Sequence, residues 1–224
     1  MKIDVLTLFP EVFSVLDSGI IGRAIENKLF EVNIYNIRDY STDKHKKCDD
    51  YPYGGGAGMV MTPQPVFDAV NSIDKDHKAI RIFLSPRGVL LNQDLVRQLS
   101  QEEHLLLLSG SYEGVDQRAI DLTMDMEISI GDYIMTSGEL PALVLINSIA
   151  RYIPDVLGSA ESLVSESFTN NLLEYPQYTR PQEFQGLSVP EVLINGNHKL
   201  IEEWRKSEQL KITRERRPDL TEIK

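Results

Sequence analysis

From residue 79 onward the chain repeats one pattern three times: a short apolar run, a polar turn rich in small residues, and a segment with helical spacing. The runs cover residues 79–84, 104–109 and 127–130, and the turns are Ser85-Pro86-Arg87-Gly88, Gly110-Ser111-Tyr112 and the stretch 131–138. Strands that alternate with helices build a parallel sheet, because right-handed crossovers lay the helices on its two faces. In such sheets ligands sit beyond the carboxyl ends of the strands, which here are the three turns. The last turn, Gly131-Asp132-Tyr133-Ile134-Met135-Thr136-Ser137-Gly138, runs directly into helical spacing at 138–152, where Glu139 and Pro141 suit a first helical turn. Taken alone it reads either as an ordinary strand-to-helix turn or as a ligand loop.

Upstream, residues 2–9 and 31–38 read as strands, joined by helical spacing over 10–29 through Val12, Phe13, Leu16, Ile20, Ile21, Ala24 and Ile25. Residues 38–61 form a long polar loop holding Lys44-His45-Lys46-Lys47, Asp49-Asp50-Tyr51-Pro52-Tyr53 and Gly54-Gly55-Gly56-Ala57-Gly58. A connection of that length without structure of its own is usually functional or disordered. Helices are expected at 63–73, with Thr62 as cap, and at 92–99 and 113–122. The polar stretch after Gly158 marks a boundary, giving a body of residues 1–158, a linker of 159–171 and a small unit of 172–224. That last part has helical spacing at 199–209 and the start of a further helix after Pro218.

Apolar residues make up 42% and charged residues 25%, as in soluble globular proteins. No apolar run approaches the ~20 residues of a membrane helix, and the first residues read as a strand instead of a cleavable signal, so no membrane association and a cytoplasmic location are expected. Cys48 is the only cysteine, which removes disulfide frameworks and cysteine-based zinc sites. A formal net charge of -11 argues against a chain that coats nucleic acid generally. Lys199, Arg205, Lys206, Lys211, Arg214, Arg216 and Arg217 nevertheless gather near the end, so charge is segregated.

The glycine run lacks the Lys-Ser or Lys-Thr of a phosphate loop and the spacing of a dinucleotide fingerprint, which argues against a nucleotide kinase or a Rossmann dehydrogenase. It is either a flexible linker or a platform for a flat ligand or nucleic acid, with Asp49, Asp50, Tyr51 and Tyr53 beside it. His45, His77, His104 and His198 lack metal-site spacing, and no Gly-Xaa-Ser-Xaa-Gly nucleophile motif occurs. Glu113 and Asp116, on one face at the start of an expected helix, either complement its dipole or meet a cationic ligand. Arg151 reads by itself as a helix-terminal charge and Glu166 as a polar linker residue.

Taken together, the motifs Asp49-Asp50-Tyr51-Pro52-Tyr53-Gly54-Gly55-Gly56-Ala57-Gly58-Met59, Ser85-Pro86-Arg87-Gly88, Tyr112-Glu113-Gly114-Val115-Asp116-Gln117-Arg118, the stretch 131–142 and Tyr175-Pro176-Gln177-Tyr178-Thr179-Arg180-Pro181 occur in order along the chain. With Val189-Pro190-Glu191-Val192-Leu193, Gly196-Asn197-His198, Trp204-Arg205 and Arg216-Arg217-Pro218, the chain resembles the bacterial tRNA (guanine-N1)-methyltransferases of the SPOUT class over essentially its whole length. That family methylates the guanine at tRNA position 37, beside the anticodon.

The resemblance implies an α/β fold whose parallel sheet ends in a deep trefoil knot, followed by a small all-α C-terminal domain. It implies S-adenosylmethionine as methyl donor, held by Ser85, Pro86, Arg87, Gly88, Gly110, Tyr112, Glu113, Gly114, Ile130, Gly131, Asp132, Tyr133, Ile134, Met135, Ser137, Gly138 and Pro141. The linker carboxylate that removes the guanine N1 proton falls on Glu166, where relatives carry Asp, and the arginine that stabilises charge on the purine falls on Arg151. The tRNA anticodon stem-loop would meet Asp49, Asp50, Gly55, Gly56, Arg180, Lys199, Arg205, Lys211, Arg214, Arg216 and Arg217. A homodimer that shares each active site between subunits is implied, as is dependence on magnesium, for which no separate motif is visible. Two further departures are Ser111, where many relatives have Arg, and Ser137, where the pattern has a second Gly. Two other readings stay open: a catalytically weak SPOUT protein that binds RNA, and a SPOUT methyltransferase with a different RNA target.

Overall fold

A computed structural model describes residues 1–158 and 166–221 of the chain, which divides into two compact units, Met1–Gly158 and Ser159–Lys224. The first unit begins with β1 (Lys2–Thr7), a 3-10 helix (Pro10–Asp17), α1 (Gly19–Glu26) and β2 (Glu31–Asn36). The single helix expected over 10–29 is thus two segments. Ser18 is extended and Gly19 takes φ +66, so the first run ends before the second begins. The long polar loop carries a 3-10 turn (Ile37–Tyr40) and a short antiparallel pair, β3 (Asp49–Asp50) with β4 (Val60–Met61).

Next come α2 (Pro63–Ile73), β5 (Ile80–Leu90), α3 (Gln93–Leu99), β6 (His104–Ser109), α4 (Gln117–Thr123), β7 (Met126–Ser129) and α5 (Glu139–Ala150). Five strands form one sheet in the order β2-β1-β6-β5-β7, and every pairing is parallel. The turn expected at 85–88 is an irregularity inside β5. Leu84 and Val89 both pair with Ile128, and the residues between them leave the ladder. Gly88 meanwhile abuts the backbone of Glu127 and Ile128.

The period-two alternation of the strands sorts the core into two layers. Ile3, Val5, Ile82, Leu84, Leu105, Leu107 and Ile128 pack with residues of α1, α3 and α5, whereas Leu6, Phe83, Leu106 and Leu108 pack with residues of α2 and α4. Burial on both faces explains why the run Leu105-Leu106-Leu107-Leu108 is continuously apolar. Asp4, the one acidic residue in the first apolar run, is fully buried and compensated, since Lys2, Asn33 and His104 meet its carboxylate at 2.7, 3.0 and 2.8 Å.

The second unit is not all helical, which corrects the expectation. Its strands β8 (Glu183–Phe184) and β9 (Leu187–Ser188) pair antiparallel across Gln185 and Gly186, at φ 52 and 80. A two-residue loop with positive φ at both positions matches the twist of a hairpin, and strands this short leave no readable periodicity. Helix α6 (His198–Arg216) is longer than the expected 199–209, is capped by the Asn197 side chain, and stops before Pro218. A 3-10 turn (Pro218–Leu220) stands where a further helix was expected to start. Of the expected linker 159–171, residues 159–165 lie outside the described residues. No helix among the described residues is long and apolar enough to cross a membrane.

A buried ion pair joins the end of α2 to β5. Arg81 Nε donates to Asp74 Oδ2 at 2.7 Å, and the two side chains are only 6% and 3% exposed. Burial works most strongly against the Asp74 carboxylate, but hydrogen bonds from Arg81 and from the Lys78 and Ala79 amides outweigh it and hold the carboxyl below its ordinary range. Removing one partner strands the other, so Arg81→Met should cost about 3–5 kcal/mol in urea unfolding at pH 7. A depressed native pKa contributes stability above the unfolded value of about 3.9. The wild-type advantage over the variant should therefore be full near neutrality and shrink as pH falls through the native pKa of Asp74, read from unfolding midpoints at a series of acidic pH values.

Candidate functional site

The carboxyl ends of β5, β6 and β7 enclose a cavity of about 290 Å³. Its first wall is Phe83, Leu84, Ser85 and Pro86, its second is residues 110–114, and its third is residues 128–131 and 133–138 with Pro141 behind. β5 lies between β6 and β7 in the sheet although it precedes both in the chain. The chain leaving β7 therefore meets the exit of β5, where Leu91 N donates to Ser129 O at 2.8 Å, and then reaches the end of β6, where Gly138 N donates to Gly110 O at 2.8 Å.

Gly138 matters for space and not for backbone angle. Its φ of -85 is open to any residue, but a Cβ there would lie 2.8 Å from Gly110 N and Ser109 Cα. Ser137 is outside the positive-φ residues, so the serine at this position fits its loop without backbone strain. In the second wall Tyr112 takes φ 58, a left-handed conformation uncommon for a non-glycine residue and concentrated at functional sites.

The cavity brings together Ser85, Pro86, Gly110, Tyr112, Glu113, Gly114, Ile130, Gly131, Tyr133, Ile134, Met135, Ser137, Gly138 and Pro141. It does not bring in Arg87, Gly88 or Asp132. Arg87 Nη2 instead donates to Gln117 at 3.1 Å and approaches Glu127 at 3.5 Å, and Arg87 and Gly88 line a separate cleft. Phe83, Leu84, Ser111, Ile128, Ser129 and Thr136 line the cavity although the sequence did not assign them to the donor. Several are strand-end residues whose apolar character reads as core, and only the stagger of the strand ends turns them toward a ligand.

Glu113 and Asp116 part company. The helix expected to start at Glu113 starts at Gln117, so Glu113 belongs to the second wall while Asp116 is the N-cap of α4. The Arg118 guanidinium donates to Asp116 at 2.9 and 2.7 Å and holds that carboxyl below its ordinary range. Asp116 is thereby committed to a structural pair. The glycine-rich loop reaches the same wall, because Glu113 N donates to Met59 O at 2.9 Å and Met61 N to Gly114 O at 2.8 Å. At Gly58, with φ +75, a Cβ would lie 2.5 Å from Glu113 Oε1, so the loop lies against the Glu113 side chain. Gly55, at φ +79, faces open space, a Cβ at Gly56, at φ +130, would lie 3.9 Å from Pro52 Cγ, and Tyr51 and Tyr53 are 79% and 99% exposed beside them.

Arg151 is the C-cap of α5 and lines a second, apolar cleft with Val15, Ile20, Leu140 and Val144. Ile130, Tyr133 and Met135 border both that cleft and the cavity. Glu166 belongs to the second unit, where its carbonyl accepts from Thr169 N. In the same unit Lys199, Lys211, Arg214 and Arg216 are exposed along α6, and Arg180 is exposed too. Arg205 is engaged with Glu202 at 2.8 Å and lies 4.9 Å over the Tyr175 ring, and Arg217 is paired with Asp219 at 2.7 Å. Cys48 is fully buried, and burial pushes its thiol up. Among the described residues no three His, Cys, Asp or Glu side chains gather to hold a metal ion.

The family profile described as tRNA (Guanine-1)-methyltransferase TrmD matches residues 1–223. A tRNA (guanine-N(1)-)-methyltransferase of Clostridioides difficile (strain 630) is 56% identical over 224 residues, covering 98% of this chain and 97% of that protein. One from Clostridium botulinum (strain Hall) is 55% identical over 220 residues, covering 98% and 91%. Another, from Clostridium botulinum (strain Eklund 17B), is 56% identical over 220 residues, covering 98% and 92%.

The geometry at the third wall separates two otherwise similar substitutions. Gly138→Ala should destabilise the chain by about 1–3 kcal/mol, because the methyl group meets backbone that cannot move aside. Ser137→Gly should change stability by no more than about 1 kcal/mol, the ordinary cost of added backbone freedom. Urea unfolding of both variants checks the order, which reverses if the wall needs unusual angles at 137.

Proposed function

The chain belongs to the tRNA (guanine-1)-methyltransferase family, and from that premise we propose that it transfers a methyl group from S-adenosylmethionine to N1 of the guanine at position 37 of tRNA, next to the anticodon. The observation that carries the placement of the reaction is the cavity where three parallel strands end. Leu84, Ile128, Ile130 and Pro141 offer apolar walls for a flat adenine ring, and the surrounding loop backbone offers hydrogen-bonding groups for its edge. Ser85, Ser111, Thr136 and Ser137 supply hydroxyl groups, and the Glu113 carboxylate gives the cavity lining an anion for a positively charged donor. The residues present fit the donor, and when bound it supplies an electrophilic methyl group on a sulfonium.

The guanine N1 carries a proton at neutral pH, so its attack needs a base. The N1–methyl bond forms as the methyl–sulfur bond breaks, with the electron pair passing to sulfur. Glu166 takes the N1 proton, and Arg151 offsets the negative charge that grows toward O6. Glutamate reaches one methylene further than aspartate, and the backbone around Glu166 must set it back accordingly.

The tRNA would lie along the glycine-rich loop, with Asp49, Asp50, Gly55 and Gly56 against the bases, and the second unit would hold the stem through Arg180, Lys199, Lys211, Arg214 and Arg216. Cations on one exposed helix of a chain with net charge -11 suit local phosphate contact. Arg205 and Arg217, already paired, contribute less to that surface.

Two further features belong to the same reading. α5 buries Ala142, Leu145, Ile146 and Ile149 yet also exposes Leu140 and Val144 at 52% and 43%, and a helix apolar on both sides calls for a second cover. A second copy of the chain would supply it, and the active site would then combine one copy's cavity with Glu166 of the partner subunit. The return of the chain from β7 across the exit of β5 to Gly110 supports a trefoil knot in this region.

Incubation with S-adenosylmethionine and tRNA bearing guanine at position 37, followed by mapping of the methyl group, should yield N1-methylguanine at that position. A methyl group elsewhere overturns the assignment. Glu166→Gln should keep donor affinity and lose roughly 100-fold or more of the transfer rate, as expected when a general base is removed. Replacing Lys211, Arg214 and Arg216 by Gln should weaken tRNA binding and lower its salt-dependence slope by about 1 for each phosphate that is no longer neutralised, read by filter binding at a series of salt concentrations.

A further inference from the structure

The residue that follows the third wall is an acid with almost no access to water. Glu139 is 1% exposed, and its Oε1 accepts from Thr7 Oγ1 at 2.6 Å. Thr7, itself fully buried, accepts in turn from Phe9 N at 2.9 Å, so its hydroxyl proton is directed to the carboxylate. Thr7 ends β1 one residue beyond the Leu6↔Leu108 pairing, which sets it beside Ser109. Thr7 continues the parity of Ile3 and Val5, the side of the sheet that α5 covers.

Burying a carboxylate costs several kcal/mol unless hydrogen bonds and nearby dipoles compensate it, and a neutral residue would complete an ordinary helix start more cheaply. Glu139 Oε2 has no partner, nor has the buried Ser109 Oγ, among the described residues. The residues of the loop before α5 lie outside regular elements, and its far end is fastened by the Gly138 to Gly110 backbone bond and by this side-chain bond. One reaches β6 and the other β1, so together they set where Met135, Thr136, Ser137 and Gly138 stand over the cavity.

We propose that Glu139, tied to Thr7, is a positioning residue for the methyl donor: it holds the third wall of the cavity on the ends of the neighbouring strands β1 and β6. The inference rests on the cavity being the donor site. Neither residue lines the cavity, so the effect passes through the loop.

The test uses Thr7→Val, which keeps shape and removes the donated hydrogen bond, and Thr7→Ser, which keeps the bond. Calorimetric titration with S-adenosylhomocysteine reads the donor site, hydrogen exchange reads amides 131–138, and initial rates separate the KM values for donor and tRNA. A hydrogen bond to a buried charged group is strong enough that Thr7→Val should weaken S-adenosylhomocysteine binding by about tenfold. Exchange should rise in 131–138 ahead of the strands, and KM should rise for the donor while that for tRNA stays within about twofold. Thr7→Ser should restore all three. In Thr7→Val/Glu139→Met the losses should not multiply, because each change removes one partner of the same hydrogen bond. Equal S-adenosylhomocysteine binding by wild type and Thr7→Val overturns the inference alone, as does a uniform rise in exchange with a matching fall in Tm. Absence of binding by the wild-type chain refutes the donor site itself and takes the inference with it.

Discussion

The contact of Gly138 with the backbone of Ser109 and Gly110 is the constraint on which the site depends. A parallel sheet leaves each strand end facing the same way, and the order β6-β5-β7 places a strand between the two ends that the chain must join. The loop leaving β7 can close on Gly110 only if it passes close to the exit of β5 and arrives with no side chain in the way. Gly88 meets the same demand from the other side, against Glu127 and Ile128. The result is a cavity whose walls are largely main chain and small residues, suited to a flat ligand with a polar edge.

Polar groups that read as anomalies in the sequence prove to be compensated in the fold. Asp4 interrupts an apolar strand and Asp74 and Arg81 sit in the interior, yet each meets charged or hydrogen-bonding partners within about 3 Å. Their loss would be felt as stability. Glu139 differs, since one of its oxygens is bonded and the other is not, and it stands where the loop of the site joins its helix. A carboxylate held at that junction links the rigid ends of the sheet to the least regular wall of the cavity.

Much of the first unit was legible because strand and helix periodicities do not overlap. The apolar runs at 79–84 and 104–109 and the helix Pro63–Ile73 stand out against polar turns. Failures came where a local pattern depends on backbone geometry. Ser18 and Gly19 break an apparently continuous helix, and residues 85–88 leave the ladder inside a strand. A hairpin of two-residue strands lies in a segment read as helical. The site was partly legible for the same reason, as small residues mark where backbone is approached. Arg87, Gly88 and Asp132, chosen by motif, fall outside the cavity because a motif records neighbours in the chain and not the direction in which each side chain leaves it.

By itself the sequence determined the parallel α/β body, the three turns at the strand ends that prove to border one cavity, the basic helix near the end of the chain, and the family, whose motifs run its whole length. Tertiary structure decided which of those residues share a cavity, that Asp116 is spent on Arg118 while Glu113 is not, and that Gly138 is needed for space instead of angle. It also decided that Thr7, at the far start of the chain, holds Glu139. The physical reason is the same in each case. Periodicity and composition are local and fix which face of an element is apolar, whereas hydrogen bonds between strand ends separated by many residues exist only once the sheet order has brought those ends together.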